Sequence, residues 1–177
     1  MRRRILALLM VAACSGAAAS AVAGARGERP GAARIPAIPV AQTAPDRCPI
    51  PVRFRKAFVA AGNDTGLPLA LLTAVAQVES RFQPEAISPA GAQGLLQLMP
   101  TTAADLKLDA RNPTSNVLAG ARYLERLLTQ FRSTDLALAA YNAGPTAVAR
   151  LGAAPNDETV SYVRNVTDIW RLLHGCS

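Results

Sequence analysis

The stretch "LALLTAVAQVESRF", Leu69 to Phe82, decides the reading of this chain. Leu69, Leu71, Leu72, Val75, Ala76 and Val78 place apolar side chains nearly all the way round a helix running from Pro68 to about Ser80. Pro68 suits its first turn, where a missing N–H costs nothing. A helix that is apolar on every side belongs in the centre of a protein. Yet Glu79 ends the run, and acidic side chains are rarely buried without a partner. Spacing alone leaves two readings open. Glu79 either caps an exposed helix end and pairs with Arg81, or it is a carboxyl group kept dry.

Working outward, the same 3.6-residue rhythm continues. Phe54, Phe58, Val59 and Ala61 share one face of a first helix beginning near Val52, and "GNDTGLP" breaks the chain after it. "QPEAISPAGAQG" is a loop by its proline and glycine content. A short helical piece is expected at Leu95–Leu98, with another from Pro100 toward Leu106. After the Asn112-Pro113 turn, Val117, Ala121, Leu124, Leu128 and Phe131 step at three and four, and Leu118 and Leu127 widen the stripe. Asp135–Tyr141, Pro145–Leu151 and Glu158–His174 complete the set. Strand alternation is absent, and half of the residues are apolar while 5% are aromatic, so alanine, leucine and valine must build the core. The expected fold is all-α, with about seven helices and no substantial sheet.

The formal charge of +7 invites a nucleic-acid reading, but its distribution argues against one. Residues 1–47 carry seven arginines against Glu28 and Asp46, whereas residues 48–177 carry twelve basic side chains against ten acidic ones. A weakly positive domain suits an anionic polymer such as a cell wall and is no nucleic-acid footprint.

The N-terminus, "MRRRILALLMVAACSGAAASAVAGA", orders three arginines, a short apolar run and small residues. That is the layout of an export signal, expected over 1–23. Ile5–Ala13 is too short to span a bilayer. An alternative stays open: "VAAC" resembles a lipobox, which would end the signal before Cys14 and anchor the protein at the outer membrane. Residues 24–51, rich in proline and alanine, read as a flexible linker, and 52–177 as the domain. Export leaves Cys48 and Cys176, one at each end of that domain. In an oxidising compartment a Cys48–Cys176 disulfide is expected, the alternative being two unpaired buried thiols.

The residue inventory narrows the chemistry. The only histidine is His174, near the C-terminus, so Ser-His-Asp and Cys-His sites have little to stand on. No cluster shows metal-ligand spacing, and neither a metal nor a cofactor is expected. "GAQG" at Gly91–Gly94 lacks the lysine and strand context of a phosphate loop. Carboxylate chemistry remains, with Glu79 as its candidate. Desolvation and the negative end of the helix dipole both raise its pKa. A carboxyl group still protonated near neutral pH can donate to a glycosidic oxygen. Near the motifs the other acidic candidate is Glu85, read as a solvated turn residue.

"ESRFQPEAISPAGAQGLLQLMPTTA", "NPTSNVLAGARYLERLL" and "ALAAYNAGP" together resemble the soluble lytic transglycosylase family, the lysozyme-like SLT domain of glycoside hydrolase family 23 type. The family's Glu-Ser, Gly-Leu-Met-Gln, Ala-Tyr-Asn and late Tyr fall at Glu79-Ser80, Gly94-Leu95-Leu96-Gln97, Ala140-Tyr141-Asn142 and Tyr162. The resemblance covers about residues 52–170. It implies a lysozyme-like fold cleaving the β-1,4 bond between N-acetylmuramic acid and N-acetylglucosamine. Glu79 would serve as single general acid and then base, closing a 1,6-anhydro ring in place of hydrolysis. Ser80, Gln97, Tyr141, Asn142 and Tyr162 would bind substrate or orient Glu79, and the substrate's own N-acetyl group would replace a second carboxylate. Leu96 stands where methionine is usual, a swap expected to reshape a sugar contact. The implied partner is the peptidoglycan glycan strand, with association to a secretion apparatus or the outer membrane allowed. A periplasmic monomer is expected. Two alternatives stand beside this: a goose-type lysozyme hydrolysing the same bond, and a weakly catalytic wall-binding module of a secretion apparatus.

Overall fold

The structure, a computed structural model, describes Arg47–Ser177. The leader over 1–23, the Cys14 alternative and residues 24–46 of the linker lie outside the described residues. The described residues form seven helices: α1 (Val52–Thr65), α2 (Leu69–Glu79), α3 (Pro100–Asp105), α4 (Pro113–Phe131), α5 (Thr134–Ala143), α6 (Pro145–Leu151) and α7 (Asp157–Leu172). They contain no strand; two isolated bridges, Ile87–Gln93 and Gln93–Leu98, are the only extended pairings among them.

Local chemistry sets the boundaries. Pro100, Pro113 and Pro145 each open a helix, because a first-turn proline loses no hydrogen bond. Asn112, Ser133 and Asn156 cap α4, α5 and α7, their side-chain oxygens accepting from Ser115, Leu136 and Thr159 N–H. Gly66 ends α1 in the left-handed conformation at φ 71°. Pro68 precedes α2 as its cap residue and is not part of its first turn.

α2 is the centre. Ala70 through Ala76 are all buried, and the helix packs on α1 and α7, while α4 packs on α1 and α5, and α5 on α7. Phe58, Leu72, Leu124, Leu127, Leu138 and Val166 are fully enclosed. Burying side chains of this size contributes roughly 1.5–3 kcal/mol each, which is why an aromatic-poor chain can still hold together. A disulfide joins Cys48 to Cys176, 128 residues apart in sequence, and Arg55 donates to the Cys48 carbonyl at 2.9 Å. Cys48 and Ile50 are buried, so the packed unit takes in the last residues of the proline-rich linker.

One expected element is absent. Leu95–Leu98 is not a helical piece but a tight turn, closed by paired backbone hydrogen bonds between Gln93 and Leu98 at 2.8 and 3.0 Å. Positive φ at Gly94 (78°) and Gln97 (44°) reverses the chain, a geometry no α-helix accommodates.

Candidate active site

Glu79 is the last helical residue of α2. After Ser80, which caps the helix, Arg81 and Phe82 both adopt left-handed backbone at φ 51° and 61°. Such residues cost about 1–2 kcal/mol each unless the surroundings impose them. Here Phe82 is buried with its ring 5.7 Å from that of Phe58, so packing dictates the sharp exit. The chain leaves the helix abruptly and returns as the 83–99 segment over the end of α2. Between them lies a cleft of about 500 Å3, lined by Glu79, Ser88, Pro89, Ala90, Ala92, Gln97, Met99, Tyr141, Asn142 and Glu158.

The Glu79 carboxyl group accepts a hydrogen bond from the Tyr162 hydroxyl at 2.7 Å. It makes no ion pair with Arg81; the ion pairs among the described residues are Arg122–Asp64 and Arg171–Asp168. Burial pushes its pKa up to about 7, and the Tyr162 hydrogen bond opposes that rise. The carboxyl group is therefore about half protonated near neutral pH, the state a general acid needs. Burial also lifts the Tyr141 and Tyr162 hydroxyls well above their ordinary values, the nearby Glu79 charge adding to it, so both stay neutral donors.

The other motif residues divide by what their polar atoms already hold. Ser80 does not line the cleft; its hydroxyl donates to the Leu95 carbonyl at 2.8 Å. The Tyr141 hydroxyl donates to the Leu96 carbonyl at 2.8 Å, and its ring packs 5.3 Å from that of Tyr123. Gln97 spends both amide protons on the Ala86 and Gly94 carbonyls, at 3.1 and 2.9 Å, which leaves its carbonyl oxygen as an acceptor in the cleft. Asn142 does the opposite. Its oxygen accepts from Thr159 Oγ1 at 2.9 Å, leaving the NH2 group free to donate. Of the motif residues, Gln97 thus brings the cleft an acceptor, Asn142 a donor and Glu79 a dry acid, on apolar walls from Pro89, Ala90, Ala92, Met99 and Tyr141.

Two readings of the sequence need correcting. Leu96 makes no sugar contact: it is buried and packs against Gly120, where an added Cβ would sit 2.5 Å from Leu96 Cδ1. Glu85 is an exposed turn residue, as read, and faces a separate hollow with Ile87 and Arg111. The second carboxylate on the cleft is Glu158, which sequence reasoning passed over. A signal for it existed, since Glu158 precedes Tyr162 by four residues and positions i and i+4 share a helix face. Ser88 was also missed. It reaches the cleft only because the loop folds back, its hydroxyl accepting from Ala92 N–H at 3.0 Å, and no periodicity marks it.

Comparison with known proteins places the chain in a family. The family model for the transglycosylase SLT domain matches residues 56–162. Membrane-bound lytic murein transglycosylase F 1 of Alkalilimnicola ehrlichii is 37% identical over 107 residues, covering 56% of this chain and 21% of that protein. The transglycosylase of Enterobacteria phage PRD1 is 39% identical over 119 residues, 67% of this chain and 43% of its own. Soluble lytic murein transglycosylase of Escherichia coli K12 is 31% identical, covering 66% of this chain and 22% of that one. Among solved structures, an inactive Glu-to-Gln mutant of lytic transglycosylase Slt from Pseudomonas aeruginosa superposes with a TM-score of 0.62 at 30% identity, over 72% of this chain and 25% of that one. The chain thus spans between 21% and 43% of the length of these curated relatives. With a family match running from the first helix to the tyrosine that holds Glu79, the chain belongs to the transglycosylase SLT domain family.

Proposed function

We propose that this chain is the catalytic domain of an exported lytic transglycosylase acting on peptidoglycan glycan strands in the periplasm. The observation that carries the reading is Glu79: a carboxyl group with its pKa near 7, at the end of a buried helix and open to a saccharide-sized cleft. Its relatives are named as murein transglycosylases, both membrane-bound and soluble. No helix of the described residues is long and apolar enough to cross a membrane.

In the reaction, protonated Glu79 gives its proton to the glycosidic oxygen as the C1–O bond breaks, leaving oxocarbenium character on the muramoyl ring. The Asn142 amide is free to donate to the carbonyl of an N-acetyl group, and Gln97 is free to accept from its N–H or from a hydroxyl. Both contacts fix the ring while charge develops. The carboxylate that results takes the proton from the C6 hydroxyl, whose oxygen attacks C1 and closes the anhydro ring. Tyr162 stabilises the ionised form between the two steps.

Glu158 favours a second reading. Two carboxylates flanking a glycosidic bond are the usual equipment for hydrolysis, one as acid and one activating water. Mass spectrometry of muropeptides released from purified sacculi separates the two. Anhydro ends that persist in Glu158→Gln are expected; reducing ends that vanish in that variant would establish hydrolysis.

A further inference from the structure

The glycan-cleaving reading leaves Asn116 without a part, yet it is the most fully engaged polar side chain in the domain. It sits in α4 and is completely buried. Its oxygen accepts from Leu96 N–H at 2.8 Å, and its NH2 group donates to the Gln93 and Ala110 carbonyls, each at 2.8 Å. Three points on two separate segments are thereby held by one amide. The opposite side of the same residue is held as well, since Tyr141 donates to the Leu96 carbonyl and Ser80 to the Leu95 carbonyl. The turn has no room to shift toward α4. A Cβ at Gly94 would fall 2.5 Å from the Asn116 amide nitrogen, and one at Gly120 would fall 2.5 Å from Leu96. The residue that follows Leu96 is Gln97, in left-handed backbone at φ 44° with its side chain in the cleft.

We infer that Asn116 is a positioning residue for cleavage: from inside α4 it fixes the Gln93–Leu98 turn, and so sets Gln97 relative to Glu79 in the cleft they share. It touches no cleft atom itself. It acts because a two-sided clamp on the residue before Gln97 leaves that left-handed backbone one place to go. The inference rests on the proposed cleavage reaction.

The test compares Asn116→Ala and Asn116→Asp with Leu127→Ala, a cavity on the same helix about 16 Å along its axis. Turnover of soluble glycan strands is measured well below each melting temperature. Retention on sacculi is measured in a Glu79→Gln background. For Asn116→Ala, kcat per folded molecule is expected to fall between about tenfold and a hundredfold, as for a reacting group displaced by an ångström. Retention should change less than about threefold, and Leu127→Ala should turn over at nearly the wild-type rate. Asn116→Asp, whose carboxyl group burial keeps protonated near pH 5, then retains the acceptor for Leu96 N–H and one donor. Assayed there it should fall between those two variants, and it carries the test should the alanine variant not fold. Combined with Tyr141→Phe, its loss should be less than multiplicative, because both side chains hold the same residue. Turnover in both Asn116 variants matching Leu127→Ala would overturn the inference, as would weakened retention with kcat unchanged. A wild-type protein that releases no fragments would instead overturn the cleavage reading, and this inference with it.

Discussion

The two ends of α2 have opposite duties. At its start, Leu69 borders a hollow shared with Val59, Gly62, Cys176 and Ser177, beside the disulfide that ties the beginning of the domain to its end. At its finish, ten residues and about 15 Å later, Glu79 is kept dry although ionisation would suit water better. One end adds stability and the other uses it. A buried carboxyl group with a raised pKa is a standing liability above pH 7, and the apolar body of the helix is what tolerates it.

Four experiments would break or sharpen that contrast. The largest effect belongs to Glu79→Gln, which should lower turnover by about 10²–10⁴-fold, the range for losing general acid–base catalysis. Muropeptide release with circular dichroism as the folding check measures it, and release at the wild-type rate would remove Glu79 from the chemistry. Cutting the other end should do the reverse. Cys176→Ser should cost roughly 2–5 kcal/mol in denaturant unfolding, while turnover per folded molecule at low temperature stays near wild type. A matching loss of turnover would mean that the two ends are coupled through the helix.

The third experiment reads the liability directly. The folded pKa of Glu79, about 7, lies above its unfolded value near 4.5. Its contribution to stability is therefore fully present below pH 4.5 and is lost as pH rises through 7. Glu79→Gln should match the wild type near pH 4 and exceed it by up to about 3 kcal/mol at pH 8. A stability difference that does not change with pH would show that the carboxyl group is not dry. The smallest effect is a shift in a profile. The Tyr162 hydrogen bond favours the carboxylate, so Tyr162→Phe should raise the Glu79 pKa further and move the basic limb of the activity profile to higher pH. Movement toward lower pH would refute that role for the hydroxyl.

Much of the scaffold was legible beforehand because local rules settle it. The three prolines that open α3, α4 and α6, the stripe of α4 and the unbroken apolar run of α2 each act within a few residues of themselves. The site was only half legible. Motif resemblance pointed to Ser80, Gln97 and Tyr141, but not to the fact that their hydrogen-bonding groups mostly hold a turn and not a sugar. Leu95–Leu98 reads as helical because its apolar run suits a helix; left-handed backbone at Gly94, before it, and at Gln97, within it, decides otherwise.

The sequence by itself determined that this chain would be a helical domain with one apolar helix ending in a carboxylate. Periodicity and capping are local, and a helix that is apolar all round has no stable place but the interior. Only the tertiary structure decided what that carboxylate became. Burial raises the Glu79 pKa, Tyr162 arrives from 83 residues away to hold it, Glu158 comes to the cleft wall on the same helix α7, and Ser88 comes by the loop folding back. Desolvation and hydrogen bonding depend on which atoms end up adjacent, and that adjacency exists only once the chain has packed.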